Sequence, residues 1–342
     1  MQLQSSKSFS LSFAVAVALI LGIGAPRAQA ISAPGYFVTE IALPDFAQGD
    51  VVVAGSALFV GVGPGFSGAA QSVIRIDGGG TTVVADGFNS LGGFAYDAVN
   101  DRLLVGDNGI EAFGSETGDT LYAIANPTGG FATPLRASSI ALLPAGSLPG
   151  FSDIVLDPTD PTGNRAFVTD ASSSFPPAGR VVSVDLSGAS VSVLQSGLGY
   201  AAGIAATSGS LFFGDLNAFS FAGSVSAVAL PGATGAASLV TGGLAGQYDL
   251  EVEASGMLLA TAVSELLRID PGSGATTSVA TGFGYATGLF TDASGTIWVL
   301  DGGFPGAATV YRLNPVPEPA SILLTACGVA MLAASRRRGA LR

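Results

Sequence analysis

The chain has 342 residues, 49 of them glycine, with 48% hydrophobic and 11% charged residues and a formal net charge of −12; that much apolar content at so low a charge excludes wholesale disorder, and the lack of a Gly-X-Y period excludes a collagen-like rod. There is no histidine, which removes the Ser/His/Asp triad, the Cys/His dyad and every histidine-ligated metal centre. The single cysteine, Cys327, lies near the C-terminus, so the body has no disulfide or thiolate cluster.

Residues 1–30 carry Lys7, an apolar run over 11–23 and Ala28-Gln29-Ala30, the small-x-small pattern that a signal peptidase accepts. They read as a signal peptide cut after Ala30. Next comes an isolated strand pattern at 37–43, within YFVTEIAL, and then a body built of repeats.

Strings that end a strand recur as ALFVG (57–61), RLLVGD (102–107), RAFVTD (165–170), SLFFGD (210–215), MLLATA (257–262) and TIWVLD (296–301). Each is followed by a further strand pattern, such as SVIRID (72–77), TLYAIA (120–125), RVVSVDL (180–186) and TVYRLN (309–314). Several units then close on Ser/Thr-rich strands, in TTVVADG, SVSVLQSG, AASLVTGG and TTSVATG. Asp/Pro/Gly-dense reversals such as YDAVNDR (96–102) and TDASGT (291–296) separate first from second strands, where Asp caps the turn and glycine accepts positive φ. Six units of about 40–60 residues with four short strands each predict an all-β, six-bladed β-propeller over 31–315, with a β-sandwich array as the other architecture. The last unit lacks a fourth strand, so segment 37–43 is expected to close the ring at the outer edge of the sixth blade.

This pattern of apolar strand, Asp turn, then LLVGD or IWVLD resembles the NHL and gluconolactonase-like six-bladed propellers. In the lactonase-like members, the resemblance implies a channel metal, usually calcium, held by Glu, Asn and Asp just before a glycine column on the innermost strands. Here the column reads Gly93, Asp153, Gly203, Asp249 and Gly288. The positions before it are Gly92, Ser152, Ala202, Tyr248 and Thr287. None is a carboxylate or amide, which argues against a hydrolase.

Asp153 and Asp249 stand in the column at the expected channel mouth, with Glu251 two residues onward on the same face. They line a cation or polyol site or accept backbone N–H groups at the strand starts. No cofactor is required on this reading; Ca2+ is the ion such carboxylates admit. Asp107, Asp170, Asp215 and Asp301 each end a second strand as rim carboxylates, expected to cap turns. Tyr200, Tyr285, Phe151 and Phe88 lie where rings stack on sugars or plug the channel. No P-loop, nucleotide fingerprint, EF-hand or basic patch occurs, and an acidic body without lysine repels nucleic acid.

The C-terminus reads VPEPAS (316–321), an apolar stretch over 322–334 and then Arg336, Arg337 and Arg338. Pro317, Glu318 and Pro319 followed by a short hydrophobic segment and an arginine cluster resemble the PEP-CTERM sorting domain. That resemblance, over 316–342, implies transient anchoring in a Gram-negative inner membrane through 320–335 and recognition by an exosortase. Delivery to the envelope, cell surface or exopolysaccharide matrix would follow. Together these features lead to the expectation of an exported, non-catalytic module that binds polysaccharide or another matrix component. The alternative is a lactonase-like or other hydrolytic propeller with an atypical channel cation site.

Overall fold

The computed structural model describes residues 30–63, 71–108, 118–171, 178–217, 220, 222–232, 235–302 and 307–317. The signal-peptide segment 1–29 and the tail from Glu318 onward, including Pro319 and the arginine cluster, lie outside the described residues. Among those described, no helix is long and apolar enough to cross a membrane.

Six antiparallel sheets form the blades of a propeller. Blade one holds β2 (Ala47–Ala54), β3 (Ala57–Val62), β4 (Gln71–Asp77) and β5 (Gly80–Phe88). Among the described residues, blade two holds three strands, β6 (Leu91–Asp97), β7 (Arg102–Asp107) and β8 (Thr120–Ala125), and in place of the expected fourth strand a single antiparallel bridge sets Ala141 opposite Tyr122. The chain after β8 turns away at a Pro/Gly-rich stretch, and its short β9 (Leu135–Arg136) pairs in parallel with β5 of the first blade.

Blades three to five each have four strands in sequence order: β10 (Phe151–Leu156) to β13 (Ser190–Leu198), β14 (Tyr200–Ala206) to β17 (Ser238–Ala245), and β18 (Gln247–Val252) to β21 (Thr276–Thr281). Blade six combines β22 (Ala286–Thr291), β23 (Ile297–Asp301) and β24 (Thr309–Pro315) with β1 (Tyr36–Ala42). β1 lies antiparallel to β24, from Tyr36 opposite Pro315 to Ala42 opposite Thr309. The expected ring closure is therefore present, and the outer edge of the last blade is covered.

Apolar residues on both faces of the central strands fill six clusters, one between each pair of neighbouring blades. Phe59 and Val73 of blade one meet Phe94, Val105 and Tyr122 of blade two. Leu300 and Val310 of blade six meet Val51, Val60 and Ile74 of blade one. The ring is thus a continuous circuit of sheet-on-sheet packing in which every blade buries both faces. Its inner strands β2, β6, β10, β14, β18 and β22 neighbour one another in turn, with β22 returning to β2.

Candidate active site at the channel axis

All six inner strands lose regular pairing at the same place. The register breaks between Ala47 and Val51, Leu91 and Phe94, Phe151 and Asp153, Ala201 and Ile204, Gln247 and Leu250, and Ala286 and Gly288. A bulge frees a backbone N–H from the ladder, and buried N–H groups require acceptors. Three carboxylates supply them.

Asp50 accepts from Val51 at 2.6 Å, Phe94 at 3.2 Å and Leu289 at 3.1 Å. Asp153 accepts from Ile154 at 2.7 Å and Ile204 at 2.8 Å. Asp249 accepts from Leu250 at 2.6 Å. Six inward N–H groups, one per blade, thus converge on three carboxylates from blades one, three and five.

The alternate blades carry glycine because the neighbouring Asp needs the room. A Cβ on Gly93 would stand 2.3 Å from Asp153 Oδ1, one on Gly203 would stand 2.5 Å from the Asp249 backbone, and one on Gly288 would stand 2.9 Å from Asp50 Oδ1. The column is therefore Asp, Gly, Asp, Gly, Asp, Gly around the axis. Asp153 and Asp249, expected at the channel mouth, are instead deep in this hub, 5% and 4% exposed, beside an equally buried Asp50 that the sequence reading missed. A Gly-Asp pair ahead of Val-Val-Val at 49–53 was the available signal.

The threefold pattern is unevenly filled. By analogy with the other two, Asp249 should bind the N–H of Leu289, but Asp50 has taken it. Asp249 Oδ2 is left buried without an N–H or O–H donor. The carboxyl groups of Asp50 and Asp153 are close enough for their charges to act on Asp249. An acceptor facing acceptors requires a shared proton or a cation.

Burial accordingly pushes Asp50 up to about 6, and burial with the charge of Asp50 pushes Asp153 up to about 8. Burial and the charges of Asp50, Asp153 and Glu251 hold Asp249 well above the carboxylate range. Glu251, half-buried and next along β18, is raised in the same way by burial and by Asp50 and Asp153. Burial and mutual repulsion thus favour the protonated form at all four groups.

The charge suits a calcium ion, but the geometry does not. Most oxygens of the three Asp side chains are engaged by backbone N–H groups, which leaves Asp249 Oδ2 and Glu251 short of the six to eight oxygens that calcium takes. Among the described residues no group of three or more such side chains is placed to hold a metal ion.

Three tyrosines from blades four, five and six stand together near the starts of their inner strands. The Tyr248 and Tyr285 ring centroids are 5.2 Å apart at 58°, their hydroxyls share a hydrogen bond, and Tyr200 is close enough to raise both Tyr285 and itself with Tyr248 after burial. Phe88 and Phe151, by contrast, are fully buried core: Phe88 packs edge-on against Tyr122, and Phe151 fills the space over Gly106.

The rim carboxylates sit at the strand ends and cap turns into the inner strands. Asp107 accepts from Asn89 and Ser90, Asp215 from Gly199, and Asp301 from Gly284 and Tyr285. Asp170 pairs with Arg180 at 2.6 Å.

No protein-family model matches the chain, and no curated protein is similar to it in sequence. Solved structures are similar in fold. A gluconolactonase from Xanthomonas campestris superposes with a TM-score of 0.60 at 14% identity, over 85% of this chain and 92% of that one. A luciferin-regenerating enzyme superposes with a TM-score of 0.58 at 11% identity, over 82% and 96%. The calcium-binding protein regucalcin from Agrobacterium tumefaciens gives 0.54 at 14% identity, over 81% and 94%. The likeness is one of fold. The body is a six-bladed β-propeller.

These neighbours, together with the channel inventory, correct the expectation of a non-catalytic binding module. That expectation rested on uncharged residues just before the column. The carboxylates stand in the column itself and beyond it: to Asp153, Asp249 and Glu251, the cation or polyol site expected from sequence, the structure adds Asp50, and all four lie close enough to act on one another's charge.

Proposed function

We propose that the chain is a hydrolase acting at the channel axis, opening a neutral ring ester, a lactone, to its hydroxy acid. The observation that carries this reading is the buried oxygen of Asp249, free of N–H donors, beside Glu251 in a carboxyl assembly that holds protons near neutrality. Neighbouring carboxyls in different protonation states are what ester hydrolysis needs: one takes a proton from the attacking water and one returns a proton to the leaving oxygen.

Glu251, two residues along β18 from Asp249, takes the water proton in its ionised form, a form that its raised pKa makes more populated as pH rises. Asp249, kept protonated by its neighbours, gives its proton to the alkoxide as the ring C–O bond breaks. Water adds across that bond, and no other reactant is consumed. An acidic channel also repels the anionic hydroxy acid, which favours product release. The hub Asp50 and Asp153 act as positioning residues.

Hydrolysis by the purified protein of a panel of five- and six-membered lactones, followed by acid release, tests the reading. Glu251→Gln and Asp249→Asn should each lower kcat at least 100-fold with the fold intact, and a chelator should leave the rate unchanged. Wild-type inactivity across the panel would overturn the proposal. Loss with chelator and recovery with calcium would place a cation at Asp249 and Glu251 instead.

We further propose the route inferred from the termini: signal-peptide cleavage, transient inner-membrane anchoring through 320–335, exosortase recognition of Pro317-Glu318-Pro319, and delivery to the envelope or matrix. The ordered motif, apolar segment and arginine cluster at 316–338 support it.

A further inference from the structure

Charge is spread very unevenly around the ring. Of the chain's 25 acidic and 13 basic residues, one, Asp215, lies in 186–248. That stretch is the outer strand β13 of blade three and all of blade four. Asp215 is itself half-buried, and its carboxylate accepts from Gly199 at 2.7 Å, so its charge is held in a turn. Blades one, two, five and six each carry several acidic residues.

The same sector has open sheet edges. An outer strand presents a row of unpaired N–H and C=O groups, which proteins blunt with charge, proline or a covering segment. The other blades do so: β9 lies beside β5, Ala141 bridges to Tyr122 of β8, Ser32 exchanges two hydrogen bonds with Thr281 at the end of β21, and β1 places an exposed Glu40 on blade six. Among the described residues no strand lies beyond β13 or β17, and neither strand contains a charged residue or a proline. Each shows an exposed apolar side chain, Val193 and, at 69%, Leu239. Gln195 of β13 donates from Nε2 to the carbonyl of Gly235, just ahead of β17, so the two edges belong to one surface. Blade five meets β17 at Gly274, which lies under the carbonyl of Val240 and leaves Leu239, Gly242 and Gly243 exposed.

We infer that this neutral sector is the contact through which two copies of the chain associate, blade four against blade four about a twofold axis, with β17 of one copy antiparallel to β17 of the other. The inference stands independently of the hydrolytic reading. Its occupant is chosen by charge: an acidic molecule repels its own copies except where its surface is uncharged. Contact at blade four sets the acidic blades of both copies on the far sides, and a twofold axis makes one patch complementary to itself. With the turns that lead into them, β13 and β17 supply roughly the 20–30 residues a side of a standard interface. Pairing satisfies the open edge of β17, and Leu239 and Val193 leave water beside it.

Sedimentation velocity on the purified protein, across a hundredfold range of concentration, tests the inference; a reversible dimer is expected. Leu239→Asp brings two like charges together at the contact and should weaken the dimer at least tenfold. Val99→Asp, at a side chain 66% exposed in a turn of blade two, should leave it unchanged. Raising the salt concentration should tighten the dimer, because the repulsion between acidic bodies is screened while the neutral contact is not. Melting temperatures within a few degrees of wild type certify the fold of each variant. Gly242→Asp, where a Cβ meets nothing nearer than 4.0 Å, carries the test where Leu239→Asp fails to fold. A monomer at every concentration would overturn the inference. So would a dimer indifferent to the β17 variants, which would place the contact elsewhere, or one that salt weakens, which would put charge pairs across it. A monomer retarded on a column of neutral polysaccharide would assign the sector to a hydroxyl-rich polymer instead.

Discussion

Acid should stabilise this protein. A carboxyl whose pKa is raised on folding binds its proton more tightly in the native state than in the unfolded chain. Such a group adds stability as pH falls through its folded value, down to its unfolded value near 4. Asp153, raised from 3.8 to about 8, gives on the order of 4 kcal/mol between pH 8 and pH 5 at ~1.4 kcal/mol per unit. Asp50, raised to about 6, acts in the same direction without adding in full, because the carboxyls share protons.

For a domain of this size that corresponds to a rise in Tm of about 10 °C. The chain has no histidine to oppose the trend, and Asp107, which burial raises to about 6, together with Asp215, also raised by burial, acts in the same direction. Asp97, Asp160, Asp185, Asp270 and Asp292 have lowered values, and their contribution is lost only as pH falls below about 4.

Asp249→Asn sharpens the test. The remaining side-chain oxygen still accepts from Leu250, and the new NH2 replaces the orphaned oxygen with a donor aimed at Asp50 and Asp153. This variant should melt higher than wild type at pH 8, show a flatter pH dependence, and lack activity. Scanning calorimetry from pH 4 to 9 decides it: a wild-type Tm that is flat or falls toward pH 5, or a destabilised Asp249→Asn at pH 8, refutes the reasoning.

Removing β1 by deleting residues 31–44 should expose the β24 edge around Tyr311 and lower Tm by 10 °C or more with aggregation on heating, read by light scattering. Gly203→Ala should cost about 1–3 kcal/mol, because its Cβ would press on the backbone of Asp249 and Leu250, and denaturant unfolding measures this. Glu318→Ala should leave unprocessed protein in the inner membrane while the wild type is released, as fractionation would show. A variant released like wild type removes the sorting proposal.

Blade number and ring closure were legible because each blade repeats an apolar second strand, closing on Asp in RLLVGD, RAFVTD, SLFFGD and TIWVLD, and because 37–43 had no partner of its own. The three-stranded second blade was not legible, since pairing of β9 with another blade is a long-range choice that no local pattern records. Two of the hub carboxylates were found as exceptions in a glycine column, but Asp50 was not, because the first unit lacks the Gly-Gly or Tyr-Ala-Thr-Gly context of the others. Charge at the axis was misjudged for a related reason. The bulge that turns each N–H inward is a matter of register, and register appears only when two strands are paired.

The closure has a mechanical side. β1 and β24 run antiparallel, and Tyr36 opposes Pro315 while Val316 donates to the carbonyl of Gly35, so β1 begins and β24 ends at one corner of the sixth blade, from which Ser32 reaches back to pair with Thr281 of blade five. Force applied between those two ends would peel the ladder apart pair by pair. Force on the C-terminal end alone, with the ring dragging behind, is carried along β24 as shear across all seven paired positions and into β23. Load on the C-terminal strand is therefore met by the ladder in its more resistant orientation.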